Sequence, residues 1–139
     1  MLGSCCGTLI ALIYFASFER HALEIETGDL WKSMLLETIG SFILVFMYLC
    51  STEEKTKFTK DSVLQTMILS SSYLAAMLLA GSKVKILRVS PLNPAIGIVY
   101  NILYKSTAQG WASIWVFGGL GFLGSFLALI FFKFIYQKT

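Results

Sequence analysis

Three apolar stretches long enough to cross a bilayer, Met34 to Cys50, Ser62 to Gly81 and Trp111 to Tyr136, are held apart by polar connectors. That layout constrains the chain more than any other feature. A hydrocarbon core of about 30 Å takes about 20 apolar residues of helix to cross. Within it every backbone N–H and C=O needs a partner from the protein, so such stretches fold as helices. Trp31 and Lys32 stand just before the first stretch, where headgroup anchors belong. Hydrophobic residues make up 56% of the chain and charged residues 14%, with a mean hydropathy of +0.73, which excludes an ordinary soluble domain. At 139 residues it is one domain at most. A further apolar stretch, Leu2 to Phe18, is interrupted by Gly3, Ser4, Gly7, Thr8 and Ser17. No positive residue precedes it and it is not Arg-rich, so it reads as a short span or the last part of one, and not as a targeting peptide. Glu19 to Lys32, with His21 and Gly28, reads as a polar surface loop. The expected fold is an all-α integral membrane protein with about three to four transmembrane helices.

One apolar stretch does not fit that count. Ala95 to Tyr104 is too short to span, and runs of roughly 10–14 apolar residues in a membrane protein are core or re-entrant segments. It is introduced by Ser90-Pro91-Leu92-Asn93-Pro94-Ala95-Ile96-Gly97. An Asn side chain caps the first free N–H groups of a helix, and Pro suits the first helical position because its missing donor is not needed there. Asn93-Pro94-Ala95 therefore opens a half-helix that starts near mid-membrane and runs back out. Its positive dipole end and free N–H groups point at the bilayer centre. Irregular backbone at that depth requires protein or a water-filled cavity against it.

Glu37 lies about one turn inside the first span. A carboxylate there faces the protein interior and is a functional candidate by default, the alternative being a helix N-terminus that stabilises it through its dipole. No second buried ionisable residue stands by as a proton-relay partner. In the last span, Gly121 and Ser125, and Gly124 and Ala128, are four apart, which leaves one helix face nearly bare. Bare faces let transmembrane backbones approach closely, so a helix lies there, from this chain or another. Ser70-Ser71-Ser72 in the middle of the second span indicates close helix packing or a wet face. Cys5, Cys6 and Cys50 have no metal spacing and read as small packing residues. With a single His, no nucleophile–base pair and no cofactor loop, neither an enzyme nor a metal or cofactor site is expected. A net charge of +3 without a basic block gives no reason to expect nucleic acid.

The Asn93-Pro94-Ala95 half-helix resembles the signature of the aquaporin, or major intrinsic protein, family. Glu37-Thr38-Ile39-Gly40-Ser41-Phe42 resembles the Glu-x-x-x-(Thr/Ser)-Phe helix that opens each half of that family, and Trp111 to Tyr136 resembles the helix that closes it. The likeness divides the chain into residues 1–32, an apolar segment and polar loop, and residues 33–139, a single half-repeat most similar to the family's second half. It implies that Asn93 is a polar pore point and that Glu37 accepts hydrogen bonds from backbone N–H groups of the re-entrant loop. Ile96 stands where the second-half motif carries the filter Arg, and Arg88 and Pro91 stand where Gly, Ser, Thr or His are usual. The family's pore lies between two halves, and one copy forms half a wall. The resemblance therefore implies a non-conducting structural or accessory subunit of a larger membrane complex. Respiratory-chain and similar organellar complexes, with the mitochondrial inner membrane as the site, are the candidate hosts. The alternative is a channel for water or small neutral solutes, formed with a second half. Expected partners are membrane lipid and either other membrane subunits or a second copy of the chain.

Overall fold

The computed structural model describes residues 28–84, 90–103 and 114–136, together with Gly3, Cys6, Gly7 and Ile25. The expected span Leu2 to Phe18 lies outside the described residues except for Gly3, Cys6 and Gly7, which are exposed, and His21 lies outside them too. The described chain is helical and contains no strand. Helix α1 is Leu30–Thr52, α2 is Ser62–Ala80, α3 is Pro94–Leu103 and α4 is Leu120–Phe131. A π-helical turn, Trp115–Gly119, leads into α4 and a second, Phe132–Tyr136, follows it. Among the described residues three helical stretches are long and apolar enough to cross a membrane, Leu30–Thr52, Ser62–Lys83 and Trp115–Tyr136.

The ends of these helices follow from local chemistry. Helix α1 begins four residues before the apolar run. There Asp29 forgoes capping to pair with Lys32 at 2.7 Å and with Lys83 at 2.8 Å. Those two ammonium groups hold the Asp29 carboxyl below its ordinary value, mainly through the hydrogen bonds they donate. The cluster ties the start of α1 to the end of α2. Trp31 stays 62% exposed with the Lys32 ammonium over its ring, as suits a headgroup anchor. At α2 the cap is conventional: Asp61 Oδ1 accepts the Val63 N–H at 2.9 Å. Gln65 Nε2 then donates to the Ser51 carbonyl at 2.6 Å and closes the α1–α2 connection.

Small residues set the packing. Gly40 of α1 faces Ala76 and Ala80 of α2, and the two helices run antiparallel. The closest seam joins α1 to α4. Gly121 lies against Ser41, and Gly124 against Thr38, Ser41 and Phe42. Farther along, Phe42 and Phe46 meet Phe131, Phe132 and Tyr136 edge-on. Residue numbers rise together along this seam, so α1 and α4 are parallel. The bare face read from the sequence thus has its partner inside the chain, with Gly121, Gly124 and Ala128 buried. Ser125 sits at its margin, half-buried, and returns its hydroxyl to the Gly121 carbonyl at 2.8 Å.

In the first π-turn three consecutive residues, Val116, Phe117 and Gly118, are buried. The wider turn offers more successive positions to the bundle than an α-helical turn does. Val116 and Phe117 close one end of the bundle with Ile25 and Val84. The outer face of α2 is open. Val63, Met67 and Leu74 are exposed, and Thr66, Ser70, Ser71 and Ser72 bond to carbonyls of their own helix.

Candidate functional site

Helix α3 begins inside the bundle, and the turn before it is built around Ser90. The Ser90 N–H donates to the Met77 carbonyl of α2 at 3.1 Å. Its hydroxyl donates to Glu37 Oε2 of α1 at 2.6 Å, and its oxygen accepts the Leu92 N–H at 3.3 Å. Ser90 and Glu37 are both fully buried. One small side chain therefore joins α1, α2 and the turn. The resemblance implied that Glu37 accepts directly from backbone N–H groups of this loop. Among the described residues it accepts from the Ser90 hydroxyl, whose oxygen in turn accepts the Leu92 N–H, and residues 85–89 of the loop lie outside them. One hydroxyl oxygen, Ser90 Oγ, thus stands between the carboxylate and the Leu92 N–H.

Leu92 occupies the left-handed region with φ 45°, which a branched side chain rarely adopts. Such backbone costs on the order of 1–3 kcal/mol and persists only where its surroundings impose it. Here they do. The Leu92 side chain, 8% exposed, fills the space among Ala76, Ala80, Leu44 and Met77, and its N–H is held by Ser90. The strained residue reverses the chain just before Asn93.

Asn93 Oδ1 accepts the Ala95 N–H at 3.0 Å and the Asn93 carbonyl accepts the Gly97 N–H at 2.9 Å, the first hydrogen bond of α3. Pro94 occupies the first helical position with its ring beside Gly121, and Ala95 is half-buried. Farther along, Gly97 lies so close to Phe117 that a Cβ there would stand 2.7 Å from the Phe117 Cβ. Reciprocally, a Cβ at Gly118 would stand 2.7 Å from Ile98 Cγ1. Two glycines, one on each helix, set α3 flush against the π-turn. Buried Asn101 donates to the Gly97 carbonyl at 2.9 Å.

The arrangement fixes the first turn of α3 in depth and direction and leaves two side chains open. Asn93 is exposed, and Ile96 is 41% exposed. The open end therefore offers one amide and one apolar side chain. Glu37 is fully buried, whereas Ile96 is exposed. Ser90 opens the stretch read from the sequence but carries no role there, although it is the hydroxyl nearest Asn93 within the turn. Among the described residues no group of His, Cys, Asp and Glu side chains converges as metal ligands would. No protein-family model, curated protein or solved structure matches the chain.

Proposed function

We propose that residues 33–139 form an aquaporin-like half-module, with α3 as its re-entrant half-helix, that serves as a non-conducting structural subunit of a larger membrane complex. The re-entrant reading is supported by depth. Pro94 lies beside Gly121, and Leu92 beside Gly40. Gly40 is about 15 Å along α1 from Leu30 at about 1.5 Å per residue, half of a core about 30 Å thick. Gly97 and Ile98 then meet Phe117 and Gly118, nearer the start of the last span, so α3 runs back toward the end at which α2 finishes. Ile96 is the observation that carries the functional reading. It projects, 41% exposed, one residue beyond the Asn93-Pro94-Ala95 opening, where an aliphatic side chain neither donates to a solute nor selects one. The uncovered tip also supports a partner, because free N–H donors at mid-bilayer are expensive.

A second reading rests on the exposure of Asn93. Its amide is available to a passing hydroxylic solute, so two halves facing each other would line a path for water or small neutral solutes. The deciding experiment is gentle detergent extraction, a native gel and mass spectrometry of the band. A fixed place in a large hetero-complex supports the subunit, with respiratory-chain complexes of the mitochondrial inner membrane the candidate hosts. A small homo-oligomer overturns it. Osmotic shrinkage of vesicles carrying that oligomer, compared with its Asn93→Asp variant, then tests the channel: flux that changes with the variant supports it, and no flux above protein-free vesicles refutes it.

A further inference from the structure

Among the described residues, three buried oxygens on one face of α1 have no hydrogen-bond partner: Ser33 Oγ, Glu37 Oε1 and Ser41 Oγ. Their residues are 2%, 0% and 3% exposed. They are spaced four apart, so they stack one turn above another with about 5–6 Å between neighbouring Cβ atoms. Buried polar atoms without partners are rare in folded proteins, and an ordered water is their usual partner. The wall opposite Ser41 is built for a small guest. At Gly121 the three atoms nearest to an added Cβ would be Pro94 Cγ and Ser41 Oγ, each at 3.6 Å, and Pro94 Cδ at 3.9 Å, all ordinary contacts. The seam therefore admits a methyl group on Gly121, whereas at Gly124 an added Cβ would stand 2.8 Å from Ser41 Cβ and 3.0 Å from the Phe42 nitrogen. Because α1 and α4 are parallel, Glu37, one turn before Ser41, lies level with the start of α4.

We infer that a water molecule is bound between Glu37 Oε1 and Ser41 Oγ, in the space that the missing side chain of Gly121 leaves beside Pro94. The water donates to the carboxylate, and Ser41 supplies the second partner. The chemistry favours water over a metal cation. A hard cation collects about six or more oxygens, whereas a buried water needs two to four partners, and the seam offers one carboxylate oxygen and the flanking hydroxyls. The site lies behind α3, on the protein side of Pro94 and away from exposed Asn93. It is independent of whether the chain conducts, since it concerns how the half-helix is seated.

The sign of one substitution tests this. In an open space within a helix, Gly→Ala raises stability by itself. With a water bound, the new methyl takes its place and leaves Ser41 and Glu37 without a partner. The full chain in detergent is therefore unfolded thermally as wild type, Gly121→Ala, Gly121→Ser, Ser41→Ala and the Ser41→Ala/Gly121→Ala double variant. Gly121→Ala is expected to lower the midpoint, Gly121→Ser to restore part of it through its own hydroxyl, and alanine at 121 to cost less in the Ser41→Ala background. A Gly121→Ala midpoint equal to or above wild type overturns the inference. So does failure of both Gly121→Ala and Gly121→Ser to fold, because the Cβ itself is then what the seam rejects. Wild-type midpoints should agree in sodium chloride and choline chloride, and a rise specific to sodium overturns water in favour of a cation.

Discussion

Replacing Gly124 by Ala should separate the two helices that hold the module together. A methyl group there would strike the Thr38 carbonyl oxygen and stand 2.8 Å from Ser41 Cβ and 3.0 Å from the Phe42 nitrogen. Two of these three atoms are α1 backbone, so no side chain can rotate aside. Normal carbon contacts of about 3.5–4.0 Å return only if the helices part by roughly 0.5–1 Å, a gap that forfeits a quarter to a half of each contact's attraction. Overpacking of this kind costs about 1–3 kcal/mol, and the gain from Gly→Ala in a helix returns about 0.5–1 kcal/mol. The net loss is then centred on about 1 kcal/mol, within a span of about 0–2.5 kcal/mol. Gly119→Ala is the matched control, since its nearest atom would be Trp115 Cε3 at an ordinary 3.7 Å. Unfolding in mixed micelles, followed by far-ultraviolet circular dichroism, should rank Gly119→Ala at or above wild type and Gly124→Ala clearly below. If Gly124→Ala matches wild type, α4 does not pack on Thr38–Phe42 as described.

Further perturbations probe the turn and the charged end. Ser90→Ala removes the only described partner of Glu37 Oε2 and of the Leu92 N–H; it should cost about 1–3 kcal/mol in the same unfolding assay, and a change within error of wild type would show that the relay does not hold the turn. Asn93→Ala deletes the α3 cap and should cost about 1 kcal/mol, with Asn93→Ser recovering most of it because a hydroxyl also caps. Asp29 is held below its ordinary value of 3.8 by Lys32 and Lys83, so its support for the folded state is complete above that pH and lost as pH falls through the lowered value. The difference in midpoint between wild type and Asp29→Asn should accordingly shrink on acidification below pH 3.8, and a difference that persists unchanged would exclude charge pairing as its source.

What the sequence discloses and what it hides follow a physical division. Spans are legible because burial in lipid demands length and apolarity, and both are read directly. That is why the α2 bounds expected from composition differ from the structure only at the Gly81 end. Helix α1 extends back to Leu30 because charge pairing at Asp29 prolongs it, a tertiary effect invisible to hydropathy. The spacing of Gly121, Gly124 and Ala128 announces a packed face. The identity of the opposing helix depends on three-dimensional register, and Ser33, Glu37 and Ser41 resemble polar liabilities until α4 is set against them. Gly40 escaped notice because its partners, Ala76 and Ala80, lie on another helix. Leu92 is the extreme case. Nothing in a leucine signals a left-handed backbone, and only the surrounding cluster makes it tolerable.

The parallel seam between α1 and α4 has a consequence for how the protein is made. Its two sides are separated in the chain by all of α2 and α3. A ribosome adding roughly 5–20 residues per second needs several seconds to travel from Ser41 to Gly124. Throughout that interval the face of α1 that carries Thr38 and Ser41 has no α4 against it. The nascent protein must wait in the membrane with its most polar helix face turned toward water, the insertion machinery or another subunit. Biogenesis, more than the finished fold, is the stage at which this sequence most needs company.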